Sequence, residues 1–315
     1  MHKILLTAFL FVVSAMQVSA WHEPTWKELA EMPGKSLYEG VYRWSPPHFL
    51  GCNIIDSVSE IGRSVLRAEY DALIVCDTLS GVQYKDRLVS LLGKTLYWTF
   101  SENRWKLNML ASLPFGHPDE NKYRREEDYF DVFASSVYRD LNKQVLVDYN
   151  QIPRVWMTDE SFFRYDEKLP YMDWTLSGES KEILGYDCFE AHTEFRGRSW
   201  TVWFTPEVSV DCGLWKFNGL PGLIMQAYDA KREYVFDIVG LAESDEAIVM
   251  YPKKESKITR ADYRKMEKNA YDDPILFGRG ADGYMLFIVD ERDLTGREVF
   301  SPGHFCYPYN PIELE

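Results

Sequence analysis

Gly219-Leu220-Pro221-Gly222-Leu223-Ile224 reads as a tight turn running straight into a buried strand. Pro221 fixes φ near −65° at the second turn position, and Gly222 accepts a positive φ at the third, so residues 220–223 are expected to form a type II turn. The apolar run Leu223-Ile224-Met225 then enters the interior. Upstream, residues 186–195 and 200–205 flank Arg196-Gly197 and pair as a hairpin with a two-residue loop. That register sets Phe189 opposite Phe204, Ala191 opposite Val202 and Thr193 opposite Trp200 on a core face.

The opposite face of the hairpin carries Cys188, Glu190, His192 and Glu194, facing Thr205, Trp203, Thr201 and Ser199. Together with Arg196 and Arg198 at the turn, Cys188, Glu190, His192 and Trp203 form the candidate ligand face. A Cys, a Glu and a His on alternate positions suggest a metal site. Alternate residues on one straight strand lie ~7 Å apart, however, and three of them rarely reach one ion. A solvated strand face is the plainer reading, and no metal or cofactor is expected. Arg196-Gly197-Arg198 is a local basic cluster for which a solvated turn is the plainer reading, with a contact to a carboxylate or phosphate as the alternative. His304 and Cys306 make a second thiol–imidazole candidate. The patterns H-E-x-x-H, G-x-S-x-G, S-x-x-K and the P-loop are absent from the sequence.

Residues 1–20 have the form of a secretory signal peptide: Lys3, a short apolar run, and Val18-Ser19-Ala20 before the cut. No later stretch approaches the ~20 apolar residues of a membrane span. Residues 21–315 are expected to form a single exported domain with no transmembrane segment. The net charge of −14 makes nucleic acid a poor partner. Aromatics make up 15% of the chain, which suits half-buried strands and surfaces that grip apolar ligands. Five cysteines in an oxidising compartment imply disulfides with at least one thiol left over. Cys52 with Cys76, and Cys188 with Cys212, are the candidate pairs because each is close in sequence.

Elsewhere, strands are expected over residues 36–44, 64–78, 161–165, 172–176 and 284–289. Hairpins are expected around Gly93-Lys94 and Asn142-Lys143. Helices are expected over 25–32, over 119–135 at the surface, and from Thr259, with Asp262 closing its cap, to about Tyr271. The Pro- and Tyr-rich residues 301–315 should be irregular and pinned by aromatics. The fold class is α+β, with a large curved, mostly antiparallel sheet and two or three helices.

Several of these stretches together resemble one family. Ile183-Leu184-Gly185-Tyr186-Asp187-Cys188, Phe195-Arg196-Gly197-Arg198, Val202-Trp203-Phe204-Thr205 and Trp215-Lys216-Phe217-Asn218 precede Gly219 to Ile224 in an order similar to the GLPGLI family. That is an exported family of Gram-negative bacteria named for its own motif. Gly219, Leu220, Pro221, Gly222, Leu223, Ile224, Trp215 and Phe217 are its structural motif residues. Two departures stand out: Val208-Ser209-Val210 replaces the family's Ile-Pro-Ile, and Gly213-Leu214, after Cys212, replaces its Gly-Pro. A Cys212 bridge would restore the rigidity that the missing proline takes away. The resemblance implies export and a shared fold, located in the periplasm, at the outer membrane or outside the cell, but no reaction. By analogy of fold, the sheet is similar to the half-barrels of periplasmic lipoprotein carriers, a likeness that says little about function. The expected function is therefore non-catalytic binding of an apolar or extended ligand, a lipid or peptide, or of an outer-membrane or envelope partner. A metal- or thiol-dependent hydrolase using Cys188, Glu190 and His192, or a structural surface-assembly protein, are the alternatives.

Overall fold

The computed structural model describes residues 42–43, 58–76, 78, 81, 83–113, 117–123, 132–150, 162–250, 255–272, 305–306 and 309–315. The expected signal peptide, the helix over 25–32, the strand over 284–289, and both Cys52 and His304 lie outside these residues. Of the strand expected over 36–44, Tyr42 and Arg43 are described as β1 (Tyr42–Arg43), which pairs in parallel with β16 (Phe305–Cys306).

The body of the molecule is one open 14-stranded sheet. Its first half comprises β2 (Ser59–Val75), β3 (Gln83–Gly93), β4 (Leu96–Ser101), β5 (Ser135–Asp140), β6 (Val145–Asn150) and β7 (Phe162–Lys168), joined as antiparallel neighbours in that order. Its second half comprises β8 (Thr175–Ile183), β9 (Tyr186–Phe195), β10 (Arg198–Thr205), β12 (Gly222–Asp229) and β13 (Tyr234–Glu243). The halves meet where β13 lies antiparallel to β2, with Phe236 opposite Ala72 and Ile238 opposite Tyr70. Three short strands complete the sheet: β11 (Asp211–Cys212) beside β12, β14 (Ala247–Met250) beside β2, and β15 (Glu255–Lys257) beside β7. Two helices, α1 (Glu102–Ser112) and α2 (Arg260–Asp272), and a 3-10 turn over Pro118–Tyr123 accompany it.

Alternation along the strands divides the sheet into two faces. Ala68, Tyr70, Ala72 and Ile74 of β2 bury completely on the inner side and continue into Val202, Ala191 and Ala227 of the second half. The outer side of the first half carries its own core, Val89, Leu91, Trp98, Phe100, Tyr138 and Val147, with Trp105 and Met109 of α1 packed against it. Helix α1 starts because Ser101 caps it, its side chain accepting from the Arg104 amide at 3.2 Å. The outer side of β9, β10, β12 and β13 is mixed: Glu190, His192 and Asp237 are polar and partly exposed, whereas Trp203 and Val235 are buried.

The central hairpin has the expected register, with Phe189 opposite Phe204, Ala191 opposite Val202 and Thr193 opposite Trp200. Its loop residues Arg196 and Gly197 have φ of 54° and 78°, and Leu184-Gly185 repeats the pattern at 52° and 83°. Positive φ at both positions marks the type I′ turn that matches strand twist. The loop between β3 and β4 falls one residue later than expected, at Lys94-Thr95, with Leu92 opposite Tyr97. The surface helix expected over 119–135 is replaced at its start by the 3-10 turn and at its end by β5, which Ser135 begins.

The turn at Pro221 also differs from expectation. Leu220 O accepts from the Gly222 amide at 3.0 Å, a three-residue γ-turn rather than a type II turn. Gly222 sits at φ 153°, and a Cβ there would lie 2.1 Å from the Thr205 carbonyl oxygen. The glycine is needed because two backbones touch, not because of a turn position. Leu223, Ile224 and Met225 are fully buried, as the strand reading expects.

Candidate functional site

Between β10 and β12 the chain runs through residues 206–221, rejoining the sheet briefly as β11, and this loop lies on the inner face. Loops usually stay at the surface because their backbone polar groups need water. Here the sheet supplies the partners. Arg139 of β5 donates to the Phe217 carbonyl and, at 3.0 Å, to the Asp211 carbonyl. Tyr97 OH accepts from the Asp211 amide at 3.3 Å, and Trp174 Nε1 donates to the Asn218 carbonyl at 2.8 Å. With its backbone satisfied, the loop buries Leu214, Trp215 and Phe217 completely. Trp215 packs edge-on to Phe195 and Phe217, with ring centroids 5.6 and 5.2 Å away. The loop therefore plugs the inner side of the sheet with aromatic rings.

Lys216, between those two aromatics, points its ammonium into the same interior and is 1% exposed. Its three N–H groups all find acceptors: Asp148 Oδ2 at 2.5 Å, Tyr165 OH at 2.6 Å, and Glu313 Oε1. Tyr165 OH and Ser135 Oγ in turn donate to Asp148, at 2.7 and 2.6 Å. Arg260 Nε of α2 donates to Glu313 Oε2 at 2.6 Å, and Arg196 donates to Glu167 at 2.7 Å. Burial alone would lower the lysine's pKa, but Asp148 and Glu313 outweigh it and raise the value. Burial alone would likewise raise the Glu313 carboxyl, but Lys216 and Arg260 bring it down to about 2. The centre is thus a closed set of fixed charges. A lysine held protonated in this way is no amine nucleophile.

Residues 309–315 are the strap over this centre. Arg198, 4% exposed, uses all five N–H groups: on Asp229 and Glu233, both at 2.8 Å, on Asn310 Oδ1 and the Pro311 carbonyl, both at 2.7 Å, and on the Ile312 carbonyl at 3.0 Å. Arg196 and Arg198 therefore meet carboxylates, as their chemistry suggests, but those of their own chain. The expected solvated turn is replaced by these intramolecular ion pairs. Beside the centre, α2, β6 and the strap line a half-open pocket of about 100 Å³.

On the outer face, Glu190 and His192 do come together, with Nε2 3.3 Å from Glu190 Oε2 and Nδ1 3.1 Å from Thr201 Oγ1. The sequence of hydroxyl, imidazole and carboxylate imitates a hydrolase relay. It lies on an open sheet surface whose strand amides are engaged with neighbouring strands, so nothing there forms an oxyanion site. Trp203 faces Lys181, whose ammonium is 4.0 Å from the ring centroid and donates to Gln226 at 2.5 Å. Cys188 follows the alternation of β9 onto this side, is buried, and donates to the Tyr186 carbonyl at 3.5 Å. Burial raises its thiol to about 11, so it is not an activated thiolate. Phe189, expected in the core, is 41% exposed, although its ring centroid lies 6.4 Å from that of Phe204.

The Cys188–Cys212 disulfide does not form. Cys212 belongs to the inner loop, where its sulfur accepts from the Leu220 amide at 3.3 Å, while Cys188 lies on the other side of the sheet. The rigidity expected from a Cys212 bridge comes instead from Arg139 and from Asp211, whose carboxylate accepts the Gly219 amide at 2.6 Å. Among the described residues no group of three or more His, Cys, Asp or Glu side chains has metal-holding geometry.

No family model matches the chain, and no curated protein matches it in sequence. Among solved structures it is similar to PNGF-II in two crystal forms, P21 and C2, at 12% identity in each and TM-scores of 0.43 and 0.42. These alignments cover 66% of this chain and 34% and 33% of PNGF-II, so the chain spans about a third of that protein's length. It is also similar to a domain from Vibrio parahaemolyticus described as an outer membrane lipoprotein-sorting protein, at 8% identity and a TM-score of 0.20, over 64% of this chain and 90% of that one. Likenesses of this size carry no argument about what the chain does.

Proposed function

We propose that this is a non-catalytic binding protein of the Gram-negative cell envelope, of GLPGLI type, and that it holds an extended segment of a partner polypeptide along β8. The observation that carries this reading is the β8 edge. Among the described residues β8 ends the sheet and pairs with β9 alone, and six of its nine residues are exposed in succession. Leu176 on the strand is 62% exposed, and Tyr171 just before it is 87% exposed. An unpaired edge offers backbone donors and acceptors to an added strand, and neighbouring apolar side chains provide its specificity. The exposed acids Asp173, Glu179, Glu182 and Asp187 surround this edge, so the partner segment is basic as well as apolar. The register shift between Leu176 and Ser180, at Gly178, interrupts the edge and limits indiscriminate strand pairing.

Export is supported by the form of residues 1–20, and no helix among the described residues is long and apolar enough to cross a membrane. The inner face is filled by the chain's own aromatic loop, which favours a peptide at the edge over an acyl chain within. A photo-crosslinker at position 176, in protein expressed with its signal in a bacterial envelope, tests the reading. A single crosslinked partner, with new amide-exchange protection confined to β8, is the expected result. A crosslink lost on Glu179→Lys with Glu182→Lys would fit the charge argument. Protection elsewhere, or a native mass excess equal to a lipid or metal ion, overturns it.

A further inference from the structure

The register of β8 fixes which residues of an added strand meet which side chains, an inference that rests on the edge-binding reading. Leu184-Gly185 is a two-residue turn, so its flanking pair, Ile183 with Tyr186, is the hydrogen-bonded one, and bonded and non-bonded pairs alternate from there. Lys181 therefore spends its N–H and C=O on Cys188, whereas those of Glu182 and Ser180 point away from β9 to the free edge. The Asp187 amide, opposite Glu182, accordingly turns from β8 and donates to Glu207 at 2.9 Å. Ser180 lies opposite Phe189, which lies opposite Phe204, so Ser180 and Glu182 carry their side chains on the inner side. Ser177, Gly178 and Glu179 bulge out of the ladder, which makes Leu176, opposite Ala191, the next residue on that side, ~7 Å along. The exposed Leu176 and Phe189 thus flank a small serine. Glu182 and Asp187 face each other as exposed like charges, and neither has a salt-bridge partner among the described residues.

We propose that the β8 edge selects an antiparallel segment with the order basic, polar, aromatic, the basic residue opposite Glu182 and the aromatic residue opposite Ser180. Antiparallel pairing lets Ser180 and Glu182 each exchange both backbone hydrogen bonds with the residue they face. Partner side chains at those two positions fall on the inner side. The ring opposite Ser180 passes over that small side chain and covers Phe189 and Leu176, which solvent now reaches. The cation opposite Glu182 sits between two carboxylates that repel each other without it. Arginine suits this place better than lysine, because its planar fork serves both at once. The residue between them falls on the outer side opposite Lys181, which disfavours a second cation. A parallel segment meets the same side chains in the reverse order, aromatic first.

The probes are a blocked synthetic peptide with Arg-Thr-Phe between threonine and valine flanks, and its counterpart with Phe-Thr-Arg, each titrated into the whole protein under NMR. The first should protect the amides of Ser180 and Glu182 from exchange, leave that of Lys181 as it was, and bind at least tenfold more tightly than the second. Alanine in place of the peptide's phenylalanine should cost a similar factor without any change to the protein. Glu182→Lys, at an exposed position that the fold does not use, should weaken the first peptide at least tenfold and restore binding to a version with glutamate for arginine. Equal binding of the two orders, or no loss in the Glu182→Lys protein, would overturn the proposed order while leaving the edge as a strand-binding site. Absence of protection at Ser180 and Glu182 with either peptide would overturn it too, and the crosslinker at position 176 then judges the edge reading separately.

Discussion

The buried centre on the inner face of the sheet and the outer face of the central hairpin carry the same kinds of residue and treat them in opposite ways. Inside, Lys216, Asp148 and Glu313 are 1–4% exposed, and both carboxylates contact the lysine ammonium directly. Outside, His192 and Glu190 make a comparable contact at 44% and 15% exposure, on a surface where solvent competes. Desolvated charges are costly to bury and far more costly to leave unpaired, whereas exposed pairs contribute ~0–1 kcal/mol. The inner cluster therefore specifies the fold, and the outer one leaves the surface free for other uses.

The sharpest way to break that contrast is Lys216→Ala. It leaves Asp148 and Glu313 buried without their shared cation, and should cost about 3–5 kcal/mol in urea unfolding at neutral pH. A loss under 1 kcal/mol would mean that water already reaches the centre. Acid titration sharpens the contrast next. Glu313 has a depressed folded pKa, about 2 against the usual 4.5, so its contribution is present above pH 4.5 and is lost as pH falls through 2. That window is worth about 3 kcal/mol by linkage, and Glu313→Gln should flatten the acid limb of the stability curve between those values. Lys216 has a raised pKa, so its contribution is complete below its ordinary 10.5 and disappears only at more alkaline pH. The smallest expected effect lies outside: His192→Ala should change stability by less than about 1 kcal/mol. A larger loss would make the outer face part of the architecture.

The elements that were legible in the sequence are those whose local pattern agrees with their surroundings. The register of β9 with β10 follows from two-residue alternation and an Arg-Gly turn, and the cap of α2 follows from Thr259 and Asp262, which bond in both directions at 3.1 and 2.6 Å. Helix α1 was not legible: Glu102–Ser112 has almost no apolar stripe, and Ser101, its cap, reads equally well as the end of a strand. The identity of the turn at Pro221 was hidden because the demand on Gly222 comes from the Thr205 backbone, which no local pattern encodes. The buried centre was overlooked although a signal was present. A lysine flanked directly by Trp215 and Phe217 hints at burial, and a buried lysine needs a carboxylate. Which carboxylate is a question of topology, since Asp148 and Glu313 come from either side in sequence. At Arg196 and Arg198 the sequence favoured a solvated turn over an anion contact, and the carboxylates that engage them come from distant parts of the same chain.

Glu313 stands 97 residues beyond Lys216 along the chain. A ribosome adding about 5–20 residues per second needs roughly 5–20 seconds to cover that distance. Throughout that interval Asp148 and Lys216 both exist and Glu313 does not. The aromatic loop can collapse early, but its lysine has only one of its two counter-charges, and the strap that closes the interior has yet to be made. Synthesis therefore sets a clock on this architecture, and the last link to form is the one that fixes the charge balance of the first.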